Sequence, residues 1–185
     1  PYVIYVAPGT YEKFSMTDTD RGVRHISIIG YDRDSTIIFS DTGNYYTPPA
    51  EVKNNGTIAN MSFIMRATNE SYDPDVSRPY GYAMHCDFTG ARHTTFINCY
   101  FESNSGPAVG CGTHADVTLR FLNCEFVRQP FNGTDQGAFF YHGNVGDLQN
   151  QKLIIENCIA KNNVSSTSEG IRLRAPVGVI TDYVE

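Results

Sequence analysis

Short alternations of apolar and polar residues recur along the whole chain, and helical periodicity is nearly absent. In each alternation every second residue is apolar, which is the pattern of a half-buried strand. Four alternations share an asparagine at their centre, and they align without gaps at residues 56–63, 94–101, 119–126 and 153–160. The pattern therefore predicts an all-β protein built from a repeated strand–bend–strand unit.

The shared asparagine is the point where the apolar set changes from one side of the strand to the other. Asparagine suits such a bend because its short amide side chain tolerates the left-handed conformation and bonds nearby backbone. If successive units add parallel strands in register, like residues stack on like. We therefore predict a structural ladder of Asn60, Asn98, Asn123 and Asn157, with free thiols stacked beside it at Cys99, Cys124 and Cys158.

A third strand follows each unit, and the three strands together complete one coil. These third strands are predicted at residues 82–87, 107–112, 138–142 and 170–174. About six coils would account for the length of the chain. Because the chain enters a strand pattern at once and ends soon after another, we expect residues 1–185 to form one domain cut from a longer polypeptide.

The opening of the chain carries a family resemblance. It reads Val-Ile-Tyr-Val-Ala-Pro-Gly-Thr-Tyr at 3–11, Ile-Ser-Ile-Ile-Gly at 26–30 and Asp-Ser-Thr-Ile-Ile at 34–38. With the asparagine repeat, this resembles the pectin-lyase-like superfamily, and in particular the first coils of pectinesterase-like proteins. The resemblance implies a right-handed, single-stranded parallel β-helix with an asparagine ladder at one turn. It leaves the activity open, because this scaffold hosts lyases, hydrolases, esterases and non-catalytic modules.

The motifs of the three best-known activities of that superfamily are absent. The chain has no Trp, so it lacks the Gly-Arg-x-Trp segment of pectinesterases and the Trp-x-Asp-His segment of pectate lyases. Where polygalacturonases carry paired acids, this chain has Val-Gly-Cys-Gly at 109–112, which removes the usual acid and base of glycoside hydrolysis. No acidic group has the spacing of an oxygen-ligand cage. We expect no metal and no cofactor.

The outward side of the third strands is the predicted site. If Met84 and Cys86 point inward, His85 points outward, and the small residues Ala108 and Gly110 leave a shallow depression beside it. Arginine binds carboxylates through two parallel hydrogen bonds, and aromatic rings stack on sugars. The catalytic candidates are His85 and, depending on strand register, Tyr141 or His142, and the binding candidates are Asp87, His114, Asp116, Arg172 and Arg174. The same residues also fit the solvated face of a half-buried strand.

Three functions are compatible with these features. The order of strand motifs resembles β-helical segments of phage tail or baseplate proteins that bind bacterial surface glycans. That resemblance implies a carbohydrate-recognition module on a virion surface or otherwise outside the cell, with a homotrimer formed through the longer parent chain. The alternatives are a lyase or depolymerase of an acidic polysaccharide and a structural spacer in a fibre or adhesin.

The charge and hydropathy of the chain argue against two partners, nucleic acid and a lipid membrane. The net charge is −6, from 20 acidic and 14 basic residues, which argues against nucleic acid. No stretch approaches the roughly 20 apolar residues of a membrane span, so no membrane insertion is expected. A polysaccharide or cell-surface glycan is the partner that the resemblance and the candidate arginines imply.

Overall fold

The computed structural model describes residues 1–17, 25–41, 48–53, 55–66, 81–87, 93–104, 106–112, 116–129, 137–142, 152–164 and 169–174. These ranges contain eighteen β-strands and no α-helix. No helix in the described part of the chain is long and apolar enough to cross a membrane.

The strands are short, and their bounds follow the alternations of the sequence. In chain order they are β1 (Tyr2–Val6), β2 (Gly9–Tyr11), β3 (Phe14–Thr17), β4 (Ile26–Gly30), β5 (Thr36–Ser40), β6 (Ala50–Lys53), β7 (Gly56–Ala59), β8 (Ser62–Met65), β9 (Met84–Asp87), β10 (His93–Ile97), β11 (Tyr100–Ser103), β12 (Val109–Gly112), β13 (Thr118–Leu122), β14 (Glu125–Arg128), β15 (Phe139–His142), β16 (Lys152–Glu156), β17 (Ile159–Asn162) and β18 (Ile171–Arg174).

The strands form three parallel sheets of six strands each. Sheet A has the order β1-β4-β7-β10-β13-β16, sheet B has the order β2-β5-β8-β11-β14-β17, and sheet C has the order β3-β6-β9-β12-β15-β18. Consecutive strands thus visit the three sheets in rotation, and every third strand extends the same sheet. The predicted all-β, parallel architecture is confirmed, and its topology is consistent with a parallel β-helix.

At four of the six connections from sheet A to sheet B, the bend is made by the asparagines of the repeat. Asn60, Asn98, Asn123 and Asn157 have φ angles of 56°, 51°, 54° and 51°, the left-handed region that asparagine tolerates better than most residues. Asn98 Nδ2 donates to Asn60 Oδ1 at 2.9 Å, and Asn157 Nδ2 donates to Asn123 Oδ1 at 2.6 Å. The amides therefore link neighbouring coils at the same place where they permit the bend.

The core lies between the three sheets and contains stacked aromatic rings. Phe63, Phe101 and Phe126 share one register position of sheet B, and successive ring centroids are 5.2 and 5.7 Å apart. Phe96 and Phe121 stack in the same way in sheet A at 4.8 Å. Each of these rings is fully buried, which contributes about 1.5–3 kcal/mol per side chain. Parallel register thus turns a sequence repeat into columns of identical residues.

Candidate functional site on the outer face of sheet C

Sheet C alternates between core residues and a column of outward residues. Met84, Cys86, Val109, Cys111 and Phe139 belong to the buried core. The residues between them share one register position across five neighbouring strands, and we call them the sheet C column: Glu51, His85, Gly110, Phe140 and Arg172. Because side chains alternate along a strand, this column lies on the outer face of the sheet.

The centre of the column is filled by an aromatic ring that comes from outside the strands. Tyr82 stacks on His85 with ring centroids 5.1 Å apart and an interplanar angle of 5°. The same ring lies over Gly110, where an added Cβ would be 2.3 Å from Tyr82 Cε1. The depression predicted from Ala108 and Gly110 is therefore occupied, because the space left by the missing side chain at Gly110 is taken by Tyr82.

Strand register places Tyr141 on the inner side of sheet C. It aligns with Cys111 and Leu173 and belongs to the hydrophobic core, where it is 4% exposed. Its neighbour Phe140 takes the outward position between Gly110 and Arg172, and it is also buried, at 6% exposure. The aromatic candidate predicted from the sequence is thus enclosed.

His142 and Arg174 are register partners, two positions after Phe140 and Arg172 on β15 and β18. Asp87 and Gly112 form a pair at the equivalent position of β9 and β12. The side chains of Asp87, His142 and Arg174 lie outside the described part of the structure, whereas their backbones are ordinary members of the paired strands.

Arg172 ends the column at the last strand of sheet C. Its side chain is 48% exposed, and its Nε lies 3.8 Å from Glu169 Oε2, also on the surface. An exposed ion pair of this kind stabilises a protein by about 0–1 kcal/mol. A carboxylate on a ligand could therefore compete with Glu169 for the guanidinium group.

The other predicted binding residues, His114 and Asp116, follow β12 in the sequence. His114 is outside the described residues. Asp116 is exposed and has a φ angle of 58°, two residues before β13 begins. That conformation is typical of a turn residue, and Asp116 lies on the connection from sheet C to sheet A.

Two residues of this site were missed from the sequence. Glu51 lies beside His85 on the neighbouring strand β6, and both side chains are half-buried. Neighbouring strands are about 4.8 Å apart, so a carboxylate and an imidazole are adjacent on this face. The third strands were predicted only from residue 82 onward, although Glu51 between Ala50 and Val52 already shows the alternation. The sequence pattern predicts Tyr82 as part of a strand, but β9 begins at Met84, and nothing in the sequence indicates that Tyr82 packs on Gly110.

A second polar cluster covers the outer face of sheet B, and its members satisfy one another. The buried carboxylate of Glu102 accepts hydrogen bonds from Tyr100 at 2.5 Å and Gln129 at 3.1 Å, and it pairs with Arg66. Glu125 pairs with Lys161 at 2.6 Å and with Arg33 at 3.9 Å. Burial, the hydrogen bond to Glu102 and the charges of both glutamates raise the pKa of Tyr100 above its usual range.

The two clusters differ in what they offer to a ligand. The carboxylate of Glu102 in the sheet B cluster is buried, whereas the guanidinium group of Arg172 in the sheet C column is 48% exposed and the imidazole of His85 is half-buried. Among the described residues, no group of three or more His, Cys, Asp or Glu side chains is arranged to hold a metal ion. Comparisons of the chain with models of protein families, with curated proteins and with solved structures find no match.

Proposed function

We propose that this chain is a carbohydrate-recognition module folded as a right-handed, single-stranded parallel β-helix of about six coils. The proposal for the fold is supported by three parallel sheets visited in rotation and by the left-handed asparagines between sheets A and B. The resemblance of the first strands to pectin-lyase-like proteins supports the same assignment.

The proposed ligand is an acidic polysaccharide bound on the outer face of sheet C. The observation that carries this proposal is the sheet C column, which aligns His85 with the exposed guanidinium of Arg172 on one face. Arginine recognises carboxylates through two parallel hydrogen bonds. One sugar unit is similar in length to the strand spacing of about 4.8 Å, so a glycan can follow the column from strand to strand.

The proposed setting is the surface of a phage tail or baseplate, or another extracellular location, where the glycan belongs to a host cell. This part of the proposal rests on the order of strand motifs in the sequence. A homotrimer formed through a longer parent chain belongs to the same proposal.

The direct test compares an acidic polysaccharide with the same polysaccharide after chemical reduction of its carboxyl groups. We expect the chain to bind the acidic form and to lose at least tenfold in affinity, or about 1.4 kcal/mol, for the reduced form. Equal binding of both forms would contradict recognition through Arg172. Binding of neither form to the full chain would favour a structural spacer.

A lyase or depolymerase is the second candidate, and the position of Glu51 beside His85 on the neighbouring strand favours it. A carboxylate next to an imidazole can hold the tautomer that accepts a proton, which is the task of a general base. Because Tyr141 is enclosed in the core, the role of the base falls to His85 or His142 in this mechanism. Release of unsaturated products or new reducing ends from an acidic glycan would identify the enzyme. Binding without either product supports recognition alone.

A further inference from the structure

The outer face of sheet A carries an unbroken apolar stripe. It runs across five neighbouring strands at one register position, and it consists of Tyr5, Ile29, Ala59, Ile97 and Leu122. On β4, β7, β10 and β13 the residue that precedes the stripe belongs to the core; these residues are Ile28, Ile58, Phe96 and Phe121. Alternation therefore places the stripe on the outside. Tyr5 is 80% exposed, Ile29, Ile97 and Leu122 are half-buried, and Ala59 in the middle of the stripe is 7% exposed.

A column of hydroxyl side chains runs beside the stripe. Ser27, Thr57 and Thr95 occupy it, and Ser27 Oγ accepts a hydrogen bond from the backbone N–H of Thr57 at 3.1 Å. Neither the stripe nor the hydroxyl column carries a charge on β1, β4, β7 or β10. An apolar patch with a polar border is typical of a surface that contacts another protein.

Three charged residues, Arg120, Lys152 and Glu156, lie on the two strands at one end of this face. Arg120 follows Thr95 in the hydroxyl column, and Glu156 follows Leu122 in the stripe. Both side chains are exposed, and in the described part of the chain neither makes an ion pair or a side-chain hydrogen bond. They lie on neighbouring strands with opposite charge, so the end of the face is complementary to a copy of itself.

We propose that the outer face of sheet A binds a second copy of this chain, with the two stacks side by side and a two-fold axis parallel to them. In that arrangement the uncharged strands of one copy meet the uncharged strands of the other. Measured along the two-fold axis, Arg120 of each copy is then offset from Glu156 of the other copy by one strand spacing, about 4.8 Å. Two symmetric ion pairs can therefore form. An antiparallel arrangement would bury both charges against Val3 and Tyr5, which is unfavourable for unpaired ions.

The size of the face sets the expected strength of the association. Six strands about 4.8 Å apart and five residues of about 3.3 Å give a face of roughly 400 Å² per copy. A pair therefore buries on the order of 800–1,000 Å², close to the lower limit of about 1,000 Å² for specific interfaces. We therefore expect a weak dimer whose population depends on concentration. This inference is independent of the proposed glycan site, which lies on sheet C, and of the proposed homotrimer, which would form through other parts of a longer parent chain.

Sedimentation velocity or light scattering on the full chain tests the proposal, over about 10 μM to about 1 mM, where weak association is visible. The wild-type chain should form dimers as concentration rises. Ile97→Asp should weaken dimerisation by at least tenfold, because it places a charge at the centre of the stripe. Ile159→Asp is the matched control, since Ile159 is 53% exposed in sheet B; it should leave the dimer unchanged. Far-UV circular dichroism checks that each variant retains its strands.

Charge reversal tests the dimer with substitutions of exposed residues, which leave the hydrophobic core unchanged. Arg120→Glu and Glu156→Arg should each weaken the dimer, and the double variant should restore it. A monomer at every concentration would overturn the proposal. So would an oligomer that forms equally well with Ile97→Asp, or a double variant that is no better than the two single variants.

Discussion

Tyr82 packs so closely on Gly110 that a Cβ atom at position 110 would be 2.3 Å from Tyr82 Cε1. Gly110 occupies an outward position of β12, and the ring of Tyr82 is 5% exposed above it. The ring also stacks on His85, so one aromatic side chain connects two members of the sheet C column. Because Gly110 has no side chain, the ring of Tyr82 can lie over it, and this ring in turn packs against the imidazole of His85 in the proposed site.

Substitution of Gly110 by alanine should displace Tyr82. We expect Gly110→Ala to lower the free energy of unfolding by about 1–3 kcal/mol, as overpacking does in other well-packed sites. In a Tyr82→Ala background the same substitution should cost much less, because the clashing ring is gone. Urea denaturation of the four proteins measures both values. Equal costs in the two backgrounds would show that Tyr82 does not contact Gly110.

Asn98 should stabilise the protein in two separable ways. Alanine at this position must adopt φ near 51° and also loses the hydrogen bond to Asn60. The left-handed conformation costs about 1–2 kcal/mol and the hydrogen bond about 1 kcal/mol, so Asn98→Ala should lose about 2–3 kcal/mol. Asn98→Gly relieves the strain and should lose less. The comparison is made by denaturant titration, and an equal loss in both variants would exclude backbone strain as a cause.

Tyr100 should make the stability of the protein fall at high pH. Its pKa is raised in the folded chain, first by burial and then by its hydrogen bond to Glu102. Above about pH 10 the tyrosine ionises in the unfolded chain and stays protonated in the folded one, so the unfolded state gains stability. Tyr100→Phe should reduce the loss of stability above pH 10. An identical pH profile for the two proteins would show that Tyr100 titrates normally.

Cys124 should lower the stability of the protein in a pH range that begins below that of Tyr100. The thiol of Cys158 lowers the pKa of Cys124. The contact with Cys99 and burial both raise that pKa, and together they outweigh the effect of Cys158, so the pKa of Cys124 is raised to about 12. Because an unfolded thiol ionises near pH 9, the free energy of unfolding should decline between about pH 9 and pH 12 as the unfolded state loses its proton first. Cys124→Ala should flatten the profile just above pH 9. The folded wild-type thiol should also alkylate slowly at pH 9, and rapid alkylation without unfolding would contradict burial.

The regular parts of this fold could be predicted from the sequence because alternation recurs in every strand triplet and the asparagine bend recurs in four of them. Alternation defines the strands, and asparagine marks a bend that few other residues tolerate, so the parallel all-β architecture follows from the pattern. The site could be predicted only in outline. In β15 the run Phe139-Phe140-Tyr141-His142 contains three consecutive aromatic residues, so the sequence does not show which of them face the core. The strand register shows that Tyr141 does.

Contacts between residues on different strands could not be predicted from the sequence either. Tyr82 reaches Gly110 only because parallel register brings β9 and β12 together. Glu51 belongs to the site for the same reason, since 34 positions separate it from His85 in the chain although their strands pair directly. Such pairings depend on the length of the connections between coils, which vary along this chain.

The central claim is that the outer face of sheet C recognises an acidic glycan through Arg172, and it is tested most directly by comparing two single-charge variants. Arg172→Ala and Lys152→Ala each remove one exposed positive charge, but Lys152 lies in sheet A. Calorimetry with an acidic polysaccharide should show a loss of about 1.5–3 kcal/mol for Arg172→Ala, as for a hydrogen bond to a charged group, and little change for Lys152→Ala. Equal affinities of the two variants would contradict the claim.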